Sequence, residues 1–166
     1  MGIPKLGFSS DRQRVVREYG RAHEITVDGQ TFRVKSGAEE RFFRELEICI
    51  AAGMVKEWWY EPERFPLDYK YGGDYRDSYM PDALVVWRDP AQGAIYYEVK
   101  AGALDPKYAS KIKRFCLAHP DKKLALVWIG SLPRMDSQSK KQAALARRID
   151  KLMPLLDHIW VIRVKK

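Results

Sequence analysis

The sequence is poor in the residues that build metal clusters or covalent staples. Only two cysteines, Cys49 and Cys116, and three scattered histidines occur among 166 residues, and none stands at zinc-ligand spacing. Both cysteines fall in apolar helical patterns, which points to free buried thiols in a reducing compartment and not to a disulfide. No window approaches the roughly 20 apolar residues of a membrane-spanning helix. The opening MGIPKLGFSSDRQRVV lacks the apolar segment of a secretory signal, and Leu6 stands where a myristoylation site needs Ser or Thr. A cytoplasmic protein without a membrane partner is the expectation. Internal repeats and low-complexity tracts are also missing, so one domain over 1–166 is expected, long enough for a substantial core.

What the chain does have is positive charge. Thirty Lys and Arg against 22 Asp and Glu give +8 and a pI near 9.5. That balance favours a polyanionic partner such as DNA, held through salt-dependent phosphate contacts.

The expected order is helix, meander of strands, helix, strand, helix, strand: an α/β protein with a mixed β-sheet flanked by helices. Residues 1–22 form a basic arm. Glu24–Val27 and Thr31–Val34 flank Asp28-Gly29-Gln30, a hairpin signal. Ser36 is placed to cap a helix, with Glu39 completing a capping box and Gly53 ending it. Trp58-Trp59-Tyr60 and Phe65–Tyr69 read as extended aromatic segments confined to edges by prolines. A turn covers Tyr71–Asp77, and strands are expected over Ser78–Trp87 and Ala94–Lys100. Asp105-Pro106 opens a helix ending near His119-Pro120. Leu124–Ile129 reads as a strand buried on both faces, Ser137–Leu156 as a helix, and Ile159–Val164 as a last strand.

The chemistry concentrates in Pro81-Asp82 and Glu98-Val99-Lys100. Side chains alternate across a strand, so Tyr96, Glu98 and Lys100 share one face, and Ile95, Tyr97 and Val99 the other. Asp82 reaches the same place if its strand runs antiparallel, which the short Asp89–Gly93 turn favours. Two carboxylates and a main-chain carbonyl, with Val99 the natural donor, make the all-oxygen shell preferred by magnesium or manganese. Such an ion acidifies water and offsets phosphate charge, and Lys100 is suited to orient that water or support developing negative charge. The plain alternative is a surface hairpin in which Asp82 and Glu98 make exposed ion pairs. Glu39 adds a further acid. At helical spacing Phe43, Leu46 and Ile50 lie within ~40° of it, so it sits on the apolar face, where a lone carboxylate is costly. Its alternative role is the capping box alone; Glu40 falls on the solvated flank.

SGAEERF, SYMPDALVVW and IYYEVKAG, in that order, resemble the PD-(D/E)xK nuclease superfamily. Within it the chain is most similar to the phage-type endonuclease I group of Holliday-junction resolvases and related phage endonucleases. The resemblance runs from about Val27 to Ile129 and takes in VDGQTF, EPERFPL and KIKRFCLAHPD. It implies a restriction-endonuclease-like fold with a nuclease core over about 24–130, built on a four-strand mixed sheet; the C-terminal helix and strand expected over 131–166 lie beyond the resemblance. It also implies dependence on magnesium or manganese, and phosphodiester hydrolysis leaving a 5′-phosphate. Asp82 and Glu98 would be metal ligands, Lys100 the water-positioning lysine, and Glu39 the helix acid near a second metal. The implied activity is on DNA, either structure-selective for branched DNA such as Holliday junctions or nicking; a subunit of a transposition or restriction complex and a non-catalytic binding module are the competing readings. Symmetric cutting of two strands would need a homodimer.

Lys35, Lys107, Lys111, Lys113 and Arg114 are the candidate phosphate contacts nearest this site. Lys140, Lys141, Arg147, Arg148 and Lys151 face away from the Leu145, Ile149, Leu152 and Leu156 stripe, as a solvated face or a backbone grip. Trp58, Trp59, Tyr60, Phe65 and Tyr69 read as core or interface, with base stacking the alternative. Tyr79 and Tyr97 read as packing, and His119 as a helix-end residue.

Overall fold

The computed structural model describes residues 22–67 and 77–164. The basic arm, save residue 22, lies outside the described residues, as do Tyr69 and the turn before Asp77.

The chain begins with a hairpin, β1 (His23–Val27) and β2 (Gln30–Val34). Asp28 and Gly29 take φ of 50° and 75°, the left-handed pair that a two-residue turn matched to strand twist requires. Helix α1 (Gly37–Ala51) follows, capped by Ser36, whose Oγ accepts the Glu39 N–H at 3.3 Å. It ends where Gly53, at φ 70°, lets the Gly53 and Met54 N–H groups return to the carbonyls of Ile50 and Cys49. Then come β3 (Val55–Tyr60), the short β4 (Phe65–Pro66) and β5 (Ser78–Tyr79), β6 (Ala83–Trp87) and β7 (Ala94–Ala101). The rest is α2 (Pro106–Ala118), β8 (Lys123–Ile129), α3 (Lys140–Leu152), a 3-10 turn (Met153–Leu155) and β9 (Ile159–Ile162).

Among the described residues the central sheet is mixed and five-stranded, in the order β3-β6-β7-β8-β9. β6 pairs antiparallel with both β3 and β7; β7, β8 and β9 are parallel, joined through α2 and α3. The four strands implied by the resemblance become five because Ile159–Ile162 adds itself to β8. The strand expected over Ser78–Trp87 divides at Met80–Asp82. Pro81 has no N–H to give a ladder, and Ser78–Tyr79 pairs with Phe65–Pro66 instead.

Each face of the sheet carries its own core. Phe42, Phe43 and Leu46 of α1 bury against Val85, Ile95, Tyr97, Val99 and Val127, with the β1–β2 hairpin alongside. Ile112 and Phe115 of α2 and Leu145, Ile149 and Leu152 of α3 bury against Tyr96, Leu124, Leu126 and Trp128. Full burial of such a side chain is worth about 1.5–3 kcal/mol. The alternation of Ile95, Tyr97 and Val99 against Tyr96 therefore holds as expected, and β8 is apolar from Leu124 onward because it faces both cores. Trp58 is core, whereas Trp59 is exposed on edge strand β3. Cys49 and Cys116 are free thiols, the second buried and the first half-buried. Among the described residues no helix is long and apolar enough to cross a membrane.

Candidate functional site

Strand β7 is the keel of the site. Its antiparallel register with β6 sets Ala83 opposite Tyr97, which brings Asp82, one residue earlier, beside Glu98. The Asp82 N–H donates to the Tyr97 carbonyl at 2.9 Å, and its carboxylate Oδ2 accepts the Val99 N–H at 2.7 Å. Asp82 thus ends the ladder with its side chain where Pro81 broke it. Both acids are interior: Asp82 is 9% exposed and Glu98 1%. That removes the reading of a surface hairpin with solvated ion pairs.

Glu98 is held from three directions. Tyr79 donates to its Oε2 at 2.7 Å and Tyr108 to the same oxygen at 3.3 Å. Lys100 donates to its Oε1 and, at 3.1 Å, to the Val99 carbonyl. The Lys100 ammonium also lies 4.2 Å from the centre of the Tyr108 ring, a cation–π contact. Burial, and then the charge of Glu98, push the Asp82 carboxyl well above its ordinary range; Lys100 and the Val99 N–H oppose that shift without cancelling it. Burial and the nearby carboxylates likewise raise the Tyr79 and Tyr108 phenols, so both stay protonated donors.

Glu39 is 7% exposed and lies on the buried face of α1. Its carboxylate accepts from the Lys35 N–H at 2.9 Å, from Ser36 Oγ at 3.5 Å and from the Tyr60 hydroxyl at 3.2 Å. The reciprocal capping bond is therefore made to Lys35, one residue before the expected Ser36. Its negative charge also contributes to raising Asp82. Glu40, on the flank, bonds His23 at 2.7 Å. The Lys35 ammonium pairs with Glu61. Although partial burial works against its charge, Glu61, Glu39 and Asp82 hold it above its usual value. Glu61 adopts φ of 43°, costing a non-glycine residue about 1–2 kcal/mol, while its N–H donates to the Asp82 carbonyl at 2.9 Å.

A cleft of about 550 Å³ opens along this region, lined by Ser36, Glu39, Arg41, Val99 and Lys100 among others. Asp82 and Glu98 do not line it; they lie buried beside Val99 and Lys100. No family model, curated protein or solved structure matches this chain.

Among the described residues no three Asp, Glu, His or Cys side chains gather closely enough to hold a metal ion by themselves. The donors at hand for a cation are two carboxylates and a carbonyl: Asp82, Glu98 and the Val99 oxygen. That set fits a hard divalent ion, because two adjacent buried acids repel and all their available atoms are oxygen. Glu39 stands apart from it, occupied by its own three donors.

The α2 cations divide. Lys107, Lys111 and Arg114 share one stripe, but Lys111 and Arg114 are tied to Asp77 at 3.1 and 2.6 Å. Lys113 lies roughly 160° around the helix from Lys111 and is exposed, as Lys107 is. Arg148 of α3 bonds the Leu104 carbonyl, while Lys140, Lys141, Arg147 and Lys151 are exposed. Tyr79 packs as read, buried against Phe115, but its hydroxyl also bonds a site acid, a role that the packing reading missed. Tyr108 and Tyr60 are the other phenols whose polar role was missed. One signal was available, since a buried Glu98 needs donors. Tyr97 does pack, accepting the Trp87 indole N–H at 3.0 Å on the far face.

Proposed function

We propose that this chain is a metal-dependent DNA endonuclease of PD-(D/E)xK type on a restriction-endonuclease-like core. Its substrate is branched DNA such as a four-way junction, or duplex that it nicks. The observation that carries the reading is the meeting of buried Asp82, on the Val99 N–H, with buried Glu98 and with Lys100, which bonds both Glu98 and the Val99 carbonyl. A surface ion-pair cluster has no need of burial, and a purely structural site has no reason to set two acids side by side. Asp82, Glu98 and the Val99 carbonyl would hold magnesium or manganese, which supplies Lewis acidity and an acidified water. The chain's own residues do the positioning. Lys100, anchored on Glu98 and against the Tyr108 ring, offers an ammonium to a phosphate oxygen or an attacking water. Ser36, Glu39 and Arg41 line the cleft through which a strand would approach Lys100. A homodimer would supply two such sites for paired cuts.

The test is cleavage of supercoiled plasmid and of a synthetic four-way junction, with magnesium, manganese or EDTA. Wild type is expected to cut only with metal, leaving 5′-phosphates, whereas Asp82→Ala and Lys100→Ala bind DNA without cutting. Equal cleavage by Asp82→Ala would end the reading at this site. Junction over linear duplex identifies a resolvase, and inactivity on every substrate points to a nuclease that needs partner proteins.

A further inference from the structure

The hydrogen bonds around Glu98 are unequal. Its Oε2 accepts from both Tyr79 at 2.7 Å and Tyr108 at 3.3 Å, and a carboxylate oxygen with two donors has both its lone pairs engaged. Among the described residues its Oε1 accepts from Lys100 alone. Asp82 is similarly one-sided, since its Oδ2 is taken by the Val99 N–H. Asp82 can therefore offer a cation its Oδ1 with the Val99 bond intact, and Glu98 can offer Oε1 once Lys100 gives way, both phenol bonds staying in place.

We infer that Tyr79 and Tyr108 set the ion selectivity of the site by denying Glu98 a bidentate grip. This rests on reading Asp82 and Glu98 as the cation site. Magnesium and manganese accept six single oxygens in octahedral order, whereas calcium takes more ligands in looser arrangements and often both oxygens of a carboxylate. With Oε2 locked, the site suits the smaller ions and disfavours calcium. Tyr79 is fully buried on β5 and Tyr108 sits one turn into α2, so the two donors come from separate elements and reinforce each other.

The test needs no nucleic acid. Manganese, magnesium and calcium are titrated by calorimetry into the full chain, wild type and Tyr79→Phe/Tyr108→Phe, with Asp82→Asn as the site control. The double variant keeps both rings and frees Oε2. The ratio of calcium to manganese dissociation constants is expected to fall about tenfold, the scale on which partners of a metal ligand act. Tyr108→Phe alone, on a less buried ring, should move the ratio part of the way. If the phenols only orient Glu98, both ions weaken in parallel and the ratio stays constant, which overturns the proposal. Manganese binding that Asp82→Asn abolishes, with an unchanged ratio in the phenylalanine variants, overturns the selectivity role alone. If wild type binds no manganese, or Asp82→Asn binds like wild type, the metal reading itself falls.

Discussion

Asp82 has two jobs that a pair of substitutions can separate. Its carboxylate ends the β6–β7 ladder on the Val99 N–H, and its charge sits buried beside Glu98. Asp82→Asn keeps an acceptor oxygen for that N–H and removes the charge. Asp82→Ala removes both and leaves a buried donor unpaired, which costs about 1–3 kcal/mol. For a chain of this size 1 kcal/mol moves the melting temperature about 2–4 °C. The asparagine variant should therefore melt roughly 2–12 °C above the alanine variant. Against wild type, the asparagine variant should gain stability in a pH-dependent way. The Asp82 carboxyl binds its proton more tightly folded than unfolded. Its favourable contribution is thus fully present below the ordinary aspartate value of about 3.9 and is lost as pH rises through the folded value. The gap between Asp82→Asn and wild type should be small near pH 4 and widen upward. The assay is thermal unfolding in EDTA, followed by circular dichroism across that range. Equal melting of the asparagine and alanine variants would refute the ladder role, and a gap that does not change with pH would refute the buried-charge role.

Lys100 occupies the two oxygens, Glu98 Oε1 and Val99 O, that a divalent ion would need. Lys100→Met should bind manganese at least as tightly as wild type in calorimetry while failing to cut plasmid; weaker binding would show that the ammonium assists the ion. Asp77 holds Arg114 and Lys111, and those two bonds keep its own carboxyl below the usual range. Asp77→Asn should release both cations and tighten duplex binding, with a steeper dependence on salt in fluorescence anisotropy. Burial pushes the Cys116 thiol up to about 11, so in native protein at pH 8 it should react with a disulfide reagent far more slowly than in denaturant.

Features governed by neighbours along the chain are legible in the amino-acid sequence alone. The Asp28-Gly29 turn, the Ser36 cap, the alternation along β7 and the two-faced burial of β8 all follow from local conformational preference and period. The choice of Glu39 over Glu40 follows from helix geometry, and burial agrees with it. The proline that marks the site motif also misleads: an uninterrupted strand over Ser78–Trp87 ignores what Pro81 does to a ladder. Tyr79 and Tyr108 are out of reach for a different reason. Their hydroxyls meet Glu98 across 19 and 10 residues of sequence, and which of several tyrosines lands there depends on how α2 and the β4–β5 pair dock. The α2 cations show the same limit, because charge alone does not reveal that Asp77 has already engaged Lys111 and Arg114.

The main-chain duty of the Asp82 carboxylate bears on how this chain would decay. Whatever the chain's activity, a descendant would lose a rung of its sheet on most changes at position 82, so Asp or Asn should persist there through purifying pressure on folding. Lys100 has a weaker structural hold: it is half-buried, and its loss takes a donor from the Val99 carbonyl without leaving a buried N–H unpaired. If the proposed nuclease reading holds, inactive lineages should therefore shed the lysine first and keep the acid-shaped residue longest. Position 82 would then record whether the sheet survives, and position 100 whether the proposed chemistry does.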